Sequence, residues 1–323
     1  DLEKKNKKGR RALIVLLAVA ILIAAGCVWQ AACVSIEKKN CPLEPVYVET
    51  GSYTAACYIR GEGDTLAVFI AGNGTPSAYT DFYYLQNALA GSFKTVSFDH
   101  EGSGFSTAST AKRTASALAE ELSCIIDACD DEAPVILICH SLGSLEAIAY
   151  ADAHPDRVKG IVFLDSGSPE FYSSDSEAGA AALGFFNSVL RTCGVVRLLG
   201  ECGILLPVYG ENIRGKALPD ELKRIDKELY YRFTGNPAAR RASSMMNENG
   251  TTLSGCASVS GIPALILTSD SGASWEKAGE ELAAIFNNHT LKKLPGSGHY
   301  LHQTNREDVI AEITEFTSGL ASD

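Results

Sequence analysis

The sequence has no surplus of basic residues. Its 28 Lys and Arg stand against 39 Asp and Glu, a formal net charge of −11. Binding to a phosphate backbone needs a basic face, so this balance argues against nucleic acid as a partner. Ten cysteines are present, yet none has the paired C-x-x-C spacing of a zinc site. There is no P-loop, and Gly102-x-Gly104 lacks the third glycine of a dinucleotide fingerprint. The expected chemistry is therefore one without metal or cofactor. Internal repeats and low-complexity tracts are missing after residue 40, and 11 Pro with 29 Gly are ordinary usage that does not suggest disorder.

Charge is also missing from one long stretch near the amino end. The run from Ala12 to Ile36 carries no charged residue and a single polar amide, Gln30. It is long enough to cross a hydrocarbon core of about 30 Å as a helix. Residues 1–11 before it hold six Lys or Arg and two acids, a local +4. Such asymmetry predicts the amino end inside and the remainder outside, with Trp29 near the outer interface. Two other readings of the same segment stay open. One is a cleaved secretory signal, although its apolar core is usually shorter, about 7 to 15 residues. The other is a lipoprotein processing site, Ile23-Ala24-Ala25-Gly26-Cys27, with Cys27 lipidated. All three put the folded part outside the cytoplasm, where disulfides can form. Cys193 and Cys202 flank a short apolar segment and are candidates for such a bridge. The acidic balance of the rest, −15 once the +4 is removed, mainly favours solubility.

Past residue 45, short apolar runs alternate with helical patterns. Strands are expected at 46–49, 53–60, 66–71, 95–99, 135–139, 160–164, 264–268 and 291–294, and helices at 78–89, 111–128, 142–153, 275–286 and 306–316. Strands separated by helices imply a mostly parallel sheet covered on both faces. Only Thr50-Gly51-Ser52 separates the first two strands, so they should form an antiparallel hairpin at the sheet edge. The interval from about 166 to 260 has no clear buried strand and several helical pieces, as expected of a helical cap inserted between the sixth and seventh strands. The expected organisation is a basic tail over 1–11, a span over 12–36, a linker over 37–45 and one α/β domain over 46–323.

The chemistry centres on Val135-Ile136-Leu137-Ile138-Cys139-His140-Ser141-Leu142-Gly143-Ser144. A buried strand runs into a small-x-Ser-x-Gly turn and then a helix, which is the layout of a nucleophile elbow. The flanking positions must be small because the serine backbone is sharply turned. Here the first flank is Cys139, small but larger than glycine. The alternative is a serine that merely caps a helix.

With these residues in view, the chain from 46 to its end resembles the α/β-hydrolase superfamily. Ala71-Gly72-Asn73-Gly74-Thr75-Pro76 is similar to the family's oxyanion loop, with Ala71 where His is usual. Asp99-His100-Glu101-Gly102-Ser103-Gly104-Phe105-Ser106 resembles its D-x-x-G-x-G-x-S turn. Leu294-Pro295-Gly296-Ser297-Gly298-His299 resembles the G-x-G-H segment after the last strand. The resemblance implies an eight-stranded α/β-hydrolase sheet with helices on both faces and a helical cap.

It also implies roles. Ser141 must lose a proton as it attacks a carbonyl, so a neutral imidazole must reach it, and His299 is the expected base with His302 as runner-up. Leu142 N–H and Asn73 N–H, with Gly74 as alternate, are the expected oxyanion donors. The acid that orients His299 follows either the sixth or the seventh strand, leaving Asp165 and Asp270 as rivals; the expected acid position after the seventh strand is occupied by Gly272, which favours Asp165. His140 and His100 are expected against loops or lining the pocket, and His154 and His289 at the surface. The implied activity is hydrolysis of an ester or amide in a small molecule, and the apolar cap favours a hydrophobic one. A proline-type aminopeptidase and a catalytically silent surface-binding protein are the alternatives.

Overall fold

The computed structural model describes residues 2–174, 177–204 and 218–320. Eight strands form one sheet: β1 (Val46–Glu49), β2 (Thr54–Arg60), β3 (Leu66–Ile70), β4 (Lys94–Asp99), β5 (Val135–His140), β6 (Val158–Leu164), β7 (Ala264–Thr268) and β8 (His289–Lys293). Their spatial order is β1-β2-β4-β3-β5-β6-β7-β8. The pairs β1–β2 and β2–β4 are antiparallel, and every later pair is parallel. The expected edge hairpin is present, its Thr50 N–H bonded to Tyr53 O at 2.9 Å.

The described helices are α1 (Leu2–Asn40), α2 (Ala78–Asp81), α3 (Tyr83–Leu89), α4 (Ala115–Cys129), α5 (Gly143–Ala153), α6 (Pro169–Ser174), α7 (Glu177–Thr192), α8 (Val195–Glu201), α9 (Asp220–Phe233), α10 (Pro237–Ser244), α11 (Met246–Leu253), α12 (Ala273–Ile285), α13 (Leu301–Thr304) and α14 (Arg306–Leu320). The central strands are buried along their whole length because helices cover both faces. Strand alternation divides their side chains between two cores. Val68, Ile70, Leu137 and Cys139 face α4, α5 and α12, while Ala67, Phe69, Ile136 and Ile138 face α3 and α14.

Several boundaries differ from expectation for local reasons. The single helix expected over 78–89 breaks at Phe82, whose φ of −101° and ψ of 12° are not helical. The helix expected from residue 111 starts at Ala115, because Thr114 caps it by accepting from Ala117 N–H at 3.3 Å. The inserted segment between β6 and β7 holds α6 to α11. Its apolar stretch at 205–210, read as cap from the sequence, lies outside the described residues.

All ten cysteines are free thiols, Cys193 and Cys202 included. The intervening α8 explains why these two do not meet. A rigid seven-residue helix advances about 10 Å, beyond the roughly 7 Å limit between bridged Cα atoms.

The apolar run of the amino segment is part of one 39-residue helix. Its side chains from Leu13 to Ile23 are largely exposed. Further along, Gln30 is buried against the cap: its Nε2 donates to Tyr231 O at 2.7 Å, and its Oε1 accepts from Arg197 Nε at 2.7 Å.

Candidate active site

Ser141 sits where β5 turns into α5, with φ of +51°. A side-chain-bearing residue in this left-handed region is strained, and the surroundings hold it there. Gly143 is required two residues on: a Cβ there would come within 2.9 Å of the Ile70 and Ala71 carbonyl oxygens. Cys139, at the other flank, is fully buried and its thiol lies 3.5 Å from Val162 O. Burial raises this thiol above its ordinary value, which keeps it protonated and unreactive.

Asp165, immediately after β6, is the other described non-glycine residue at positive φ, +43°. Its buried carboxylate accepts from Ser269 N–H and Ser269 Oγ–H, each at 2.8 Å. The same carboxylate lies 2.7 Å from His299 Nδ1, and His299 Nε2 lies 3.0 Å from Ser141 Oγ. In the neutral ring this geometry puts the proton on Nδ1, donated to Asp165, and leaves Nε2 to accept from the serine. Ser141, His299 and Asp165 thus form one catalytic-triad network.

Asp270, the rival acid, is occupied elsewhere. Its carboxylate accepts from Gly296 N–H at 2.6 Å and pairs with Lys293 at 3.0 Å. These two contacts hold its carboxyl below the ordinary value. His302, the rival base, is fully buried, stacks on Phe82 and lies 3.3 Å from Asp81 Oδ1. His140 is buried below the His299 ring, with its Nε2 2.9 Å from His299 O. Burial, then the neighbouring His302 and His299, push its pKa well down, so it is neutral and donates to that carbonyl. Asp81, His140 and His302 bring ligand-type atoms within 4.8 Å of one another, a grouping that no sequence spacing reveals.

The Gly72–Thr75 turn faces the elbow, closed by Thr75 N–H to Gly72 O at 3.3 Å. Glycine is needed at 72 because a Cβ would meet Ser141 Cβ at 3.0 Å and His140 Nδ1 at 2.9 Å. Gly74 has φ of +80°, and the Asn73 side chain ties the turn to α10 by donating to Ser243 Oγ at 2.8 Å and Ala239 O at 3.1 Å. Leu142, expected to supply the second donor, stands at the amino end of α5.

Two cavities flank this turn. An inner one of about 70 Å³ lies beside Gly72, Asn73 and Leu142 and reaches His100, Glu101, Arg113 and Glu146. His100 Nε2 is 2.8 Å from Glu146 Oε2, so His100 lines the pocket as expected. A groove of about 270 Å³ runs from Asn73, Gly74 and Tyr300 to Leu183, Gly184 and Asn187 on α7.

Sequence reasoning missed three contributors. The Trp275 ring packs 4.4 Å from His299, and Arg113 and Glu146 are buried beside the inner cavity. Trp275 carried one usable signal, its place just after the seventh strand's loop. Buried Arg113 and Glu146 sit among ordinary helical and loop residues and carried none.

A family model described as "alpha/beta hydrolase fold" matches residues 68–199. The uncharacterized protein YbdG of Bacillus subtilis (strain 168) is 26% identical over 262 residues, which span 77% of this chain and 78% of that one. Among solved structures, an enol-lactonase from Burkholderia xenovorans LB400 superposes with TM-score 0.64 at 17% identity, covering 84% of this chain and 100% of its own. A thermophilic esterase from Thermogutta terrifontis gives 0.61 at 17% identity, with 86% and 99% covered. The chain has the α/β-hydrolase fold, and the network built on Ser141, His299 and Asp165 is that of a serine hydrolase.

Proposed function

We propose that this protein hydrolyses a carboxylic ester by an acyl-enzyme route, with the folded part on the outer side of a membrane spanned by α1. The observation that carries the reading is the continuous line from Asp165 through His299 to Ser141, at 2.7 and 3.0 Å, with the serine on a strained turn.

In this reading Ser141 Oγ attacks the ester carbonyl as its proton passes to His299 Nε2. The carbonyl oxygen becomes an oxyanion, received by the N–H groups of Leu142 and of Asn73, with Gly74 as alternate. Asp165 holds the ring tautomer and stabilises the imidazolium. His299 then protonates the departing alcohol oxygen, leaving an acyl-serine. Water attacks the acyl carbon, His299 takes its proton, and the acid leaves as the Ser141 hydroxyl is restored. The similarity to an esterase and a lactonase supports the ester over the amide. The uncharged run of α1 and the basic residues before it support the membrane placement.

The test is covalent labelling of the full chain by a fluorophosphonate, followed by a panel of nitrophenyl esters and aminoacyl amides. Labelling at Ser141, its loss in Ser141→Ala, and turnover of esters before amides are expected. A wild-type protein labelled at another serine, or cleaving only aminoacyl amides, would overturn the reading.

A further inference from the structure

Helix α7 is inside out for a helix on a water-soluble surface. Its small and polar side faces the protein. A Cβ at Gly184 would meet Arg240 Cγ at 2.8 Å, Asn187 is buried, and Arg191 Nη1 donates to Arg232 O at 3.0 Å. Its large apolar residues point away from the protein: Leu183, Phe185, Phe186 and Val189 are 51%, 60%, 59% and 43% exposed, and Leu198 on α8 is 53% exposed. Scattered exposed apolar residues are normal, but a contiguous face of this kind marks a surface that meets something apolar.

The location of that face says what it meets. The corner between α7 and α8 lies on α1: a Cβ at Gly26 would come within 2.3 Å of Cys193 O, and one at Gly194 within 3.3 Å of Trp29. The apolar surface of the cap therefore continues the exposed apolar surface of the α1 span. A hydrocarbon core of about 30 Å takes about 20 helical residues. With its inner edge at Ala12, its outer edge falls near Ala32, and Gly26 lies about 9 Å below that edge. The depth matches the 5–10 Å at which interfacial helices sit. The one polar amide of the span, Gln30, is sealed against Tyr231 and Arg197, and Arg197 pairs with Glu37 two turns on. Gln30, Arg197 and Glu37 thus satisfy one another within the protein, as a membrane requires of polar side chains at this level.

We infer that the α7–α8 face of the cap is seated in the lipid bilayer beside α1, and that the groove behind it passes membrane-borne acyl esters to Ser141. Leu183 and Gly184 of α7 line that groove together with Asn73 and Gly74 of the turn facing Ser141 and with Tyr300, next to His299 in the chain. The delivery step rests on the hydrolase reading above; the seat in the bilayer rests only on the membrane placement of α1 proposed with it.

The test uses the full chain in phosphatidylcholine vesicles with and without bromine on the acyl chains. The additional tryptophan emission of F186W should be quenched by more than half in brominated lipid, whereas that of Y47W, at the exposed sheet edge, should be unchanged. Unquenched F186W emission in protein that fractionates with the vesicles overturns the seat, and cross-linked dimers in that sample would assign the face to a second copy. For delivery, the double variant F185E/F186E should lose about tenfold or more in turnover of a long-chain ester carried in vesicles and stay within about twofold on a short soluble nitrophenyl ester. Equal loss on both esters, or loss on neither, overturns delivery. Wild-type protein that cleaves neither ester sinks the hydrolase reading and delivery with it, while the F186W quenching still decides the seat.

Discussion

The Asn73 side-chain amide donates to Ser243 Oγ at 2.8 Å, so the turn facing Ser141 is fastened to cap helix α10. If Asn73 N–H receives the oxyanion, the cap fixes where that donor stands. Asn73→Ala keeps the backbone donor but frees the turn, and Ser243→Ala removes the same tie from the other side. Both should lower kcat by about tenfold with little change in KM, less than the 10²–10³ that accompanies outright loss of an oxyanion donor. Steady-state kinetics on a soluble nitrophenyl ester check this; a Ser243→Ala enzyme with wild-type kcat would show that the tie does not position the turn.

Asp165→Asn should be the severe triad variant and Asp270→Asn the mild one. Asp165 receives His299 Nδ1 at 2.7 Å, while Asp270 is engaged by Gly296 and Lys293. Loss of the orienting acid costs a factor of about 10⁴ in the chymotrypsin example; the Asp270 change should cost less than about tenfold. Turnover is compared at equal circular dichroism. The reverse ranking would reassign the acid.

Gly104→Ala should destabilise the fold severely. Gly104 has φ of +52°, and a Cβ there would stand 1.8 Å from Asp99 Oδ2. That carboxylate cannot move aside, because it is buried and already accepts from Ala78 N–H at 2.8 Å, Phe105 N–H at 3.1 Å and Tyr58 OH at 3.0 Å. A loss of about 3 kcal/mol or more is expected. Gly91→Ala, where a Cβ meets nothing within 4 Å, should stay within about 0.5 kcal/mol. Denaturant midpoints in detergent compare the two.

The tie between Asp270 and Gly296 should weaken in acid. The Gly296 N–H and Lys293 hold the Asp270 carboxyl below its ordinary value of 3.8. A lowered folded-state value means that the ionised form contributes fully above the unfolded value and is lost as pH falls through the lowered one. The Gly296 amide should therefore stay protected from exchange down to pH near 4 and lose protection below it. In Asp270→Asn that acid transition should be missing. A Gly296 amide with the same acid transition in both proteins would assign it to another group.

Much of the site was legible because its signals are local. A buried apolar strand, small flanks around Ser141 and a helix after it all lie within one stretch of about twenty residues, and each constrains its neighbours through backbone geometry. The mostly parallel character of the sheet followed equally from the alternation of strands and helices along the chain. The acid was not decidable in this way. Asp165 and Asp270 end adjacent strands, and only the folded loops turn Asp165, at φ of +43°, toward His299 while the chain near Gly296 captures Asp270. The apolar cap shows the same limit. The sequence marked the α7 segment only as a helical piece of the cap, and nothing in that reading says which side faces inward: Leu183 and Phe186 could have faced a core. The packing of Gly184 on Arg240 of α10, of Asn187 on Gly235, and of Cys193 on Gly26 of α1 turned that apolar side outward. Sequence determined which segments form the fold and which serine is set on a strained turn, because those depend on neighbours along the chain. Which carboxylate meets the histidine, and which face the cap presents, depended on partners more than a hundred residues away, and only tertiary packing brings those together.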